Sequence, residues 1–425
     1  MAQDNRVDIR MDNRIDTIRS DAPELAPYGG FAVGVKTVKL TNPQQLDIAK
    51  FKAGAPMPVY DRPLTVQVWY PAQLAAGQAP GGSLRAITRD GQTEVSLRGR
   101  AVRDAAPAPA SGPFPLLIVS HGYPGNRFLL SHLAENLASK GYVVASIDHT
   151  DSTYDSQGPF GSTLLNRSLD QLFVLGEMAR LGRSDATLKG LVNAELTGLI
   201  GYSMGGFGAL NTVGAGFTAA SVGFAWGTPE GALAVRQAGD PRYLASMDPR
   251  IKAVVAFAPW GWNAGFWDAA GLAGIKTPVL FVAGSVDDVS GYAPGVRNLF
   301  EGAVNAPRFL LTLENANHNA GAPMPAPLET WTPVPHLNFV PAEHYSDAVW
   351  DSVRMNNIAQ HFATAFLGKY LQGDAALGSY LTLVENAKDG KFSAAKDGSF
   401  KADHSYWKGF PARSAVGLRL EQRAP

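Results

Sequence analysis

The sequence lacks cysteine altogether, since none of its 425 residues carries a thiol. A disulfide framework, a thiolate metal site and a cysteine nucleophile are therefore excluded. Net charge is also missing, because 37 basic and 37 acidic side chains balance. Without a basic footprint, a nucleic-acid partner is not expected. The chain has no apolar run of about 18 residues, so we expect no helical membrane span.

Apolar side chains, glycine and proline are present in quantity. Hydrophobic residues make up 45% of the chain, enough for a sizeable core, and 45 glycines and 29 prolines predict many tight turns. Length alone suggests about three domains. The opening Met1–Asn5 resembles a processed secreted protein behind an added start codon. This favours a secreted or periplasmic location, with a leader removed, over a cytoplasmic one.

Apolar runs alternate with helical patterns through most of the chain. Strands are predicted at 31–40, 64–70, 116–119, 142–147, 196–200, 251–257, 279–282 and 309–313. Helices are predicted at 129–140, 169–181 and 346–371. Residues 1–25 should form a surface arm or a small added strand pair, and 73–112 a long surface loop. This order predicts an α/β fold with a mostly parallel sheet and helices on both faces.

The clearest motif is Gly-Tyr-Ser-Met-Gly-Gly at Gly201–Gly206, between a predicted strand and a small-residue helix. A serine on such a sharp strand-to-helix turn is exposed for attack, and its neighbours pack so closely that glycine is favoured. The motif therefore predicts Ser203 as a nucleophile. A plain turn is the alternative.

A nucleophilic serine needs a base, and the base needs an orienting acid. Asp287 follows the strand at 279–282 and is the predicted acid, with Asp288 as the alternative. His318 follows the strand at 309–313 and is the predicted base. The remaining histidines have weaker contexts and are assigned to packing, structure or the site's rim: His121, His132, His149, His336, His344, His361 and His404.

An oxyanion hole requires two backbone N–H donors. One should be the amide of Met204, directly after the nucleophile. The other should be the amide of Tyr123, in the turn that follows the strand at 116–119. No metal-binding or phosphate-binding motif is present, so neither a metal nor a cofactor is implied.

Together these residues resemble the serine esterases of the α/β-hydrolase superfamily. The segments Ser120–Gly122, Ser146–Asp151 and Asn317–Asn319 look like platelet-activating-factor acetylhydrolase. That enzyme takes its acid from just after the strand that follows the elbow. Here this position reads Ala-Pro-Trp at Ala258–Trp260 and holds no carboxylate. The same tripeptide is similar to the corresponding segment of bacterial cutinases and polyester hydrolases. In those enzymes the acid follows the next strand, at the position that Asp287 occupies here.

The cutinase resemblance covers roughly residues 60–320 and implies substrate contacts. It assigns Trp260 to a wall beside the substrate, and it gives Tyr123 a contact with the acyl part as well as an amide donor. Further aromatic residues follow predicted strand ends, where pocket walls form. About half of them should be core, and Trp226, Trp262 and Trp331 are the predicted further contacts.

The sequence therefore predicts one catalytic domain over residues 26–425. Lid-like insertions near 214–247 and 261–272 should cover the cleft, and a C-terminal extension should begin after about 325. The expected activity is hydrolysis of small neutral esters, aromatic or short-acyl, with water as the second substrate. Another bond type on the same triad (dienelactone-type, peptide or C–C) and a non-catalytic binding module remain as alternatives. The natural ester, its acyl length and the oligomeric state are left open.

Overall fold

The computed structural model of the protein describes residues 13–108 and 112–425. Within these residues the strands are β1 (Ala32–Leu46), β2 (Val59–Gln73), β3 (Gly82–Ile87), β4 (Glu94–Gly99), β5 (Val102–Arg103), β6 (Ala106–Pro107), β7 (Phe114–Ser120), β8 (Val143–Asp148), β9 (Val192–Tyr202), β10 (Ile251–Phe257), β11 (Val279–Gly284), β12 (Arg308–Leu313) and β13 (Leu418–Arg423). The α-helices are α1 (Ser131–Ala138), α2 (Phe160–Ser184), α3 (Met204–Thr212), α4 (Ala219–Val222), α5 (Pro241–Ala245), α6 (Ala269–Leu272), α7 (Arg297–Gly302) and α8 (Ser352–Leu367).

The main sheet has the strand order β13-β12-β11-β10-β9-β7-β8-β2-β1-β5, with β6 paired to β2. The six strands from β12 to β8 run parallel to one another. Strands β13 and β2 close this parallel block with antiparallel pairing on either side. The predicted mostly parallel sheet is confirmed.

Two hydrophobic cores cover the two faces of this sheet. Strand β7 shows why, because Leu117 and Val119 face one core while Leu116 and Ile118 face the other. A strand that is buried on both faces must be continuously apolar, which is the pattern read from the sequence. Neither face of the parallel block is therefore exposed to solvent. A binding site can form at the carboxyl ends of its strands, here called the carboxyl edge of the sheet.

The prediction of a long surface loop at 73–112 is wrong, because this stretch contains the hairpin of β3 and β4. Leu84, Ala86, Val95 and Leu97 are buried and alternate with exposed residues. The turn between the strands is held by Asp90, whose carboxylate accepts hydrogen bonds from backbone amides that follow it. The glycine and proline content of the stretch had hidden this short alternation.

Three further differences from the sequence prediction concern α2, the last strand and the closing helix. Helix α2 begins at Phe160 rather than near Leu169. The earlier start was not predicted because several buried side chains in the first turns are polar, so the sequence there shows no helical spacing of apolar residues. The strand at 309–313 is not the last one, since β13 follows it in the chain and pairs with it. The closing helix is confirmed, but it begins at Ser352, where the Asp351 side chain caps the amide of Arg354.

The predicted N-terminal arm falls partly on residues 1–12, which lie outside the described residues. Its described part pairs with β4, because the Ile15 amide donates to the Arg98 carbonyl and the Arg98 amide donates to the Asn13 carbonyl. Ile15 itself is buried. This segment therefore joins the hairpin through an isolated parallel β-bridge between Arg14 and Arg98.

Candidate active site

Ser203 lies on the sharp turn between β9 and α3. Its φ is +54° and its ψ is −114°, a strained conformation for a residue with a side chain. The close packing explains the flanking glycines. A Cβ on Gly201 would overlap the carbonyl oxygen of Gly205, and a Cβ on Gly205 would overlap that of Ser120. The predicted steric reason for this motif is therefore present in the fold.

Asp287 and His318 are brought together from the ends of β11 and β12. Both Asp287 carboxylate oxygens lie 3.0 to 3.1 Å from His318 Nδ1. The Asp287 carboxylate also accepts the amides of Val289 and Ser290 at 2.9 and 2.8 Å. Burial acts to raise the pKa of Asp287, but the hydrogen bond and charge of His318, with these amides, bring it below its usual value.

An ionised Asp287 has only acceptor oxygens, so it selects the His318 tautomer with hydrogen on Nδ1. The Nε2 lone pair is then available to a serine hydroxyl. Asp288, the alternative acid, is exposed and makes no such contact to a histidine among the described residues. The geometry favours Asp287 as the partner of His318.

Tyr202, which directly precedes Ser203 in the chain, contacts the loop that carries His318. The rings of Tyr202 and His318 are 5.2 Å apart, and the Tyr202 hydroxyl donates to Asn319 at 2.8 Å. Within the described part of the chain, no hydrogen bond joins Ser203 Oγ to the His318 ring. Catalytic hydrogen bonds are often long before substrate binds. The serine–histidine contact therefore stays a prediction.

The two predicted amide donors flank Ser203. Met204 is the first residue of α3, where backbone N–H groups have no partner within the helix. Tyr123 follows Gly122, and a Cβ built on Gly122 would lie 3.5 Å from the Ser203 Cβ. The turn after β7 thus passes directly beside the serine. Whether both amides bind an oxyanion stays a prediction.

Three of the predicted substrate contacts share one aromatic cluster around Phe160. The Phe160 ring lies 5.1 Å from Tyr123, 5.8 Å from Trp260 and 6.3 Å from Trp226. Trp226 is 50% exposed, so the cluster reaches solvent. Phe160 was missed in the sequence analysis, because the start of α2 was not recognised. The dipeptide Pro159–Phe160 after a glycine was the available signal for a helix start.

The other two predicted contacts lie outside this cluster. Trp331 is 56% exposed and lines a cavity of about 610 Å³ beside His318, together with Asp288, Glu343 and Asp347. Trp262 is half-buried and packs against the core on the α3 side of the sheet. Of the aromatic residues near these positions, Tyr243, Phe266 and Trp267 are buried core, in line with the expectation that about half are structural.

A second set of serine, histidine and aspartate lies behind this edge, fully buried. Ser120 Oγ is 2.8 Å from His149 Nε2, and His149 Nδ1 is 2.9 Å from Asp170 Oδ2. Asp170 also pairs with Arg62 at 2.9 Å. Burial lowers the pKa of His149 to about 4, so the ring is neutral and accepts the Ser120 hydroxyl hydrogen. The structural interpretation of His149 agrees with this geometry.

Comparison with known proteins shows which proteins this chain resembles. Residues 100–229 match the family model described as PETase: PET hydrolase-like. The ferulic acid esterase from Streptomyces cinnamoneus superposes with a TM-score of 0.55 at 21% identity, over 85% of this chain and 93% of that one. The predicted α/β-hydrolase fold is confirmed.

Curated relatives narrow the resemblance within that class. The chain is 26% identical to cutinase est1 of Thermobifida alba over 207 residues, which is 48% of this chain and 53% of that protein. It is 24% identical to the bis(hydroxyethyl) terephthalate hydrolase of Streptomyces coelicolor, over 49% of this chain and 52% of that protein. The chain thus spans about half the length of these relatives. The predicted cutinase and polyester hydrolase resemblance is confirmed.

The family match includes Ser203 and the turn after β7, whereas Asp287 and His318 lie beyond it. Their roles therefore depend on the geometry described above. Among residues 13–108 and 112–425, no helix combines the length and apolar character that a membrane crossing requires.

Proposed function

We propose that this chain is a serine carboxylic ester hydrolase that works through an acyl-enzyme. The observation that carries the proposal is the bidentate contact of Asp287 with His318 at the same sheet edge as Ser203, which lies on a strained elbow. A strained serine beside an oriented imidazole is the arrangement that acyl transfer needs.

In the proposed reaction, His318 Nε2 takes the hydroxyl hydrogen of Ser203 as Oγ attacks the ester carbonyl carbon. The amides of Tyr123 and Met204 stabilise the tetrahedral oxyanion. His318 then gives its proton to the leaving alcohol, and the serine ester remains. Water attacks this ester as the same imidazole takes its proton, and that proton passes to Ser203 Oγ as the bond to the acyl carbon breaks and the acid is released. Asp287 holds the imidazole tautomer throughout and stabilises the imidazolium.

The proposed substrates are small neutral esters with an aromatic or short acyl part. The acyl group would lie against the rings of Tyr123, Trp260 and Trp226. The carboxylates of Asp288, Glu343 and Asp347 line the cavity on the His318 side, which disfavours an anionic alcohol part. The relatives' names, which include a terephthalate ester hydrolase and a ferulic acid esterase, support an aromatic acid.

We also propose that residues 26–425 form one catalytic domain. The insertions at 214–247 and 261–272 would act as a partial cover, because Trp226 from the first contacts Phe266 from the second at 5.8 Å. The chain after residue 325 supplies α8 and β13, which complete one core and one sheet edge.

A panel of p-nitrophenyl esters of rising acyl length, with bis(hydroxyethyl) terephthalate and methyl ferulate, tests this function. We expect turnover of acetyl and butyryl esters, loss of turnover in Ser203→Ala, and covalent labelling of Ser203 by an organophosphate. Labelling without ester turnover would favour another bond type on the same triad. If neither labelling nor turnover is observed, the chain is a binding module and the proposal fails.

A further inference from the structure

Arg167, on α2, is a fully buried cation that the proposed mechanism has not used. Its side chain is 1% exposed, and no carboxylate of the described residues forms an ion pair with it. Burial lowers the pKa of Arg167 to about 9, so it remains charged at neutral pH. The charge of Asp170 favours the guanidinium without forming an ion pair at contact distance, and Arg167 Nε has no hydrogen-bond partner among the described residues. A buried charge in such surroundings is expensive unless its remaining hydrogen bonds are strong and well placed. The partners of this guanidinium are therefore informative.

Two of these partners are consecutive carbonyl groups of the turn that carries Tyr123. Arg167 Nη1 donates to the His121 carbonyl, and Arg167 Nη2 donates to the Gly122 carbonyl at 2.9 Å. The second nitrogen also donates to Ser152 Oγ. The His121 ring adds another bond to the same Gly122 carbonyl, from Nδ1 at 2.6 Å. The guanidinium thus holds both peptide planes before Tyr123.

The geometry of a peptide unit links these carbonyls to the proposed oxyanion donor. The Gly122–Tyr123 peptide is not among the cis bonds of the described chain. In a planar trans unit the C=O and N–H groups point in opposite directions. Because Arg167 and His121 hold the Gly122 oxygen on one side, the Tyr123 N–H faces the other side, away from α2. The Gly122 backbone also passes close to Ser203.

We propose that Arg167 is a positioning residue for the oxyanion hole, which fixes the Gly122–Tyr123 peptide plane and polarises its N–H group. A cation bonded to a peptide oxygen withdraws electron density from the amide and makes its N–H a stronger donor. This role rests on the proposed ester hydrolase function. It predicts that Arg167 acts on the transition state, where negative charge develops on the carbonyl oxygen, rather than on substrate binding.

Arg236 provides a matched comparison within the same protein. It is also 1% exposed and has no carboxylate partner among the described residues, and burial lowers its pKa to about 10. Its bonds go to Asn211 and Ser246, near the far end of α3 from Ser203. Replacing either arginine removes a buried cation, but only Arg167 contacts the oxyanion turn.

The test compares an oxygen ester with its sulfur analogue, p-nitrophenyl acetate and O-p-nitrophenyl thionoacetate. Sulfur accepts hydrogen bonds poorly, so an intact oxyanion hole favours the oxygen ester. We expect Arg167→Met to lower kcat on the oxygen ester about 50-fold, with KM changed less than about threefold and a much smaller loss on the thiono ester. Arg167→Lys keeps the charge but lacks the planar fork, so its loss should be intermediate.

The oxygen-to-sulfur ratio of kcat distinguishes the outcomes. Arg236→Met should lose thermal stability comparably and leave the ratio unchanged. If Arg167→Met does not fold, as judged by circular dichroism, Arg167→Lys decides. Equal losses on both substrates in a folded Arg167 variant would show a merely structural role and overturn this proposal alone. A wild-type chain without turnover would instead overturn the proposed function, and this role with it.

Discussion

Two sets of serine, histidine and aspartate occur in this protein, and they differ in almost everything except residue type. Ser203, His318 and Asp287 lie at the carboxyl edge of the sheet. Ser120, His149 and Asp170 lie beneath it, joined by hydrogen bonds of 2.8 and 2.9 Å. By hydrogen-bond order and length alone, the buried set has the more complete triad. Residue types in the right order therefore do not by themselves make a catalytic site.

The difference is one of access, backbone and charge. Ser203 lies on a strained turn after β9, whereas Ser120 is the last residue of β7. His318 borders a cavity, whereas the His149 ring is fully enclosed. The carboxylate of Asp170 is paired with Arg62, while that of Asp287 is held by His318 and backbone amides. The buried set has the contacts of a structural anchor, and the edge set has those that the proposed reaction requires.

The largest difference in kcat is expected between variants of the two serines, Ser203 and Ser120. We expect Ser203→Ala and His318→Ala each to lower kcat by at least ~10⁴, because proton transfer and acyl transfer both stop. Ser120→Ala should change kcat by less than about tenfold, since its hydroxyl is occupied by His149. Turnover of p-nitrophenyl butyrate measures both. A folded Ser120→Ala variant without turnover would reverse the assignment.

The next largest difference in kcat is expected between variants of the two neighbouring carboxylates, Asp287 and Asp288. Asp287→Asn should lower kcat by about 10³-fold, because an amide cannot select the required His318 tautomer or stabilise the imidazolium. Asp288→Asn is the matched control and should stay within about twofold of wild type, since this exposed carboxylate makes no histidine contact. The same ester assay applies. If Asp288→Asn proved the damaging change, Asp288 would be the acid.

The buried set should respond through stability rather than rate. Asp170→Asn removes the closer counter-charge of the enclosed Arg62 guanidinium and leaves only the longer contact with Asp151 at 3.4 Å, so we expect a loss of about 3 kcal/mol in the free energy of unfolding. Urea unfolding followed by circular dichroism measures this loss. The folded fraction should still hydrolyse ester. A neutral effect on the unfolding midpoint would mean that Arg62 finds another partner.

A smaller effect should appear with pH. The pKa of His149 is lowered from 6.5 to about 4 in the fold, so below pH 6.5 the unfolded chain binds the proton more readily than the native one. The stabilising contribution is fully present above pH 6.5 and is lost as pH falls towards 4. It amounts to about 3 kcal/mol.

Melting temperatures at pH 7.5 and 4.5 check this effect. His149→Asn should lose less stability than wild type on acidification, because the titrating group is gone. The pKa values of the buried His121, His132, His344 and His361 are also lowered by burial, so these histidines contribute to the remaining loss. An equal pH dependence in variant and wild type would show that the fold does not lower the pKa of His149.

Much of the fold followed from local pattern. The run at 116–119 predicted a strand buried on both faces, and the elbow glycines predicted the sharp turn at Ser203. The hairpin at 82–99 and the first turns of α2 did not follow. The alternation of the hairpin is short and lies within a stretch rich in glycine and proline. In α2, the polar side chains of Arg167 and Asp170 face the interior because they bond to residues distant in sequence. Periodicity reads such residues as solvent-facing.

The sequence by itself determined the α/β class, the elbow and the order of serine, acid and base along the chain, because strand burial and close backbone packing act over short distances. Only the tertiary structure decided which carboxylate contacts His318, that a second triad is sealed in the core, and that a buried arginine holds the turn beside Ser203. These features depend on residues 20 to 110 positions apart in sequence, such as Arg62 and Asp170 or Asp287 and His318. Their distances are set by how the strands and helices pack, since a parallel sheet brings the ends of remote strands to one edge.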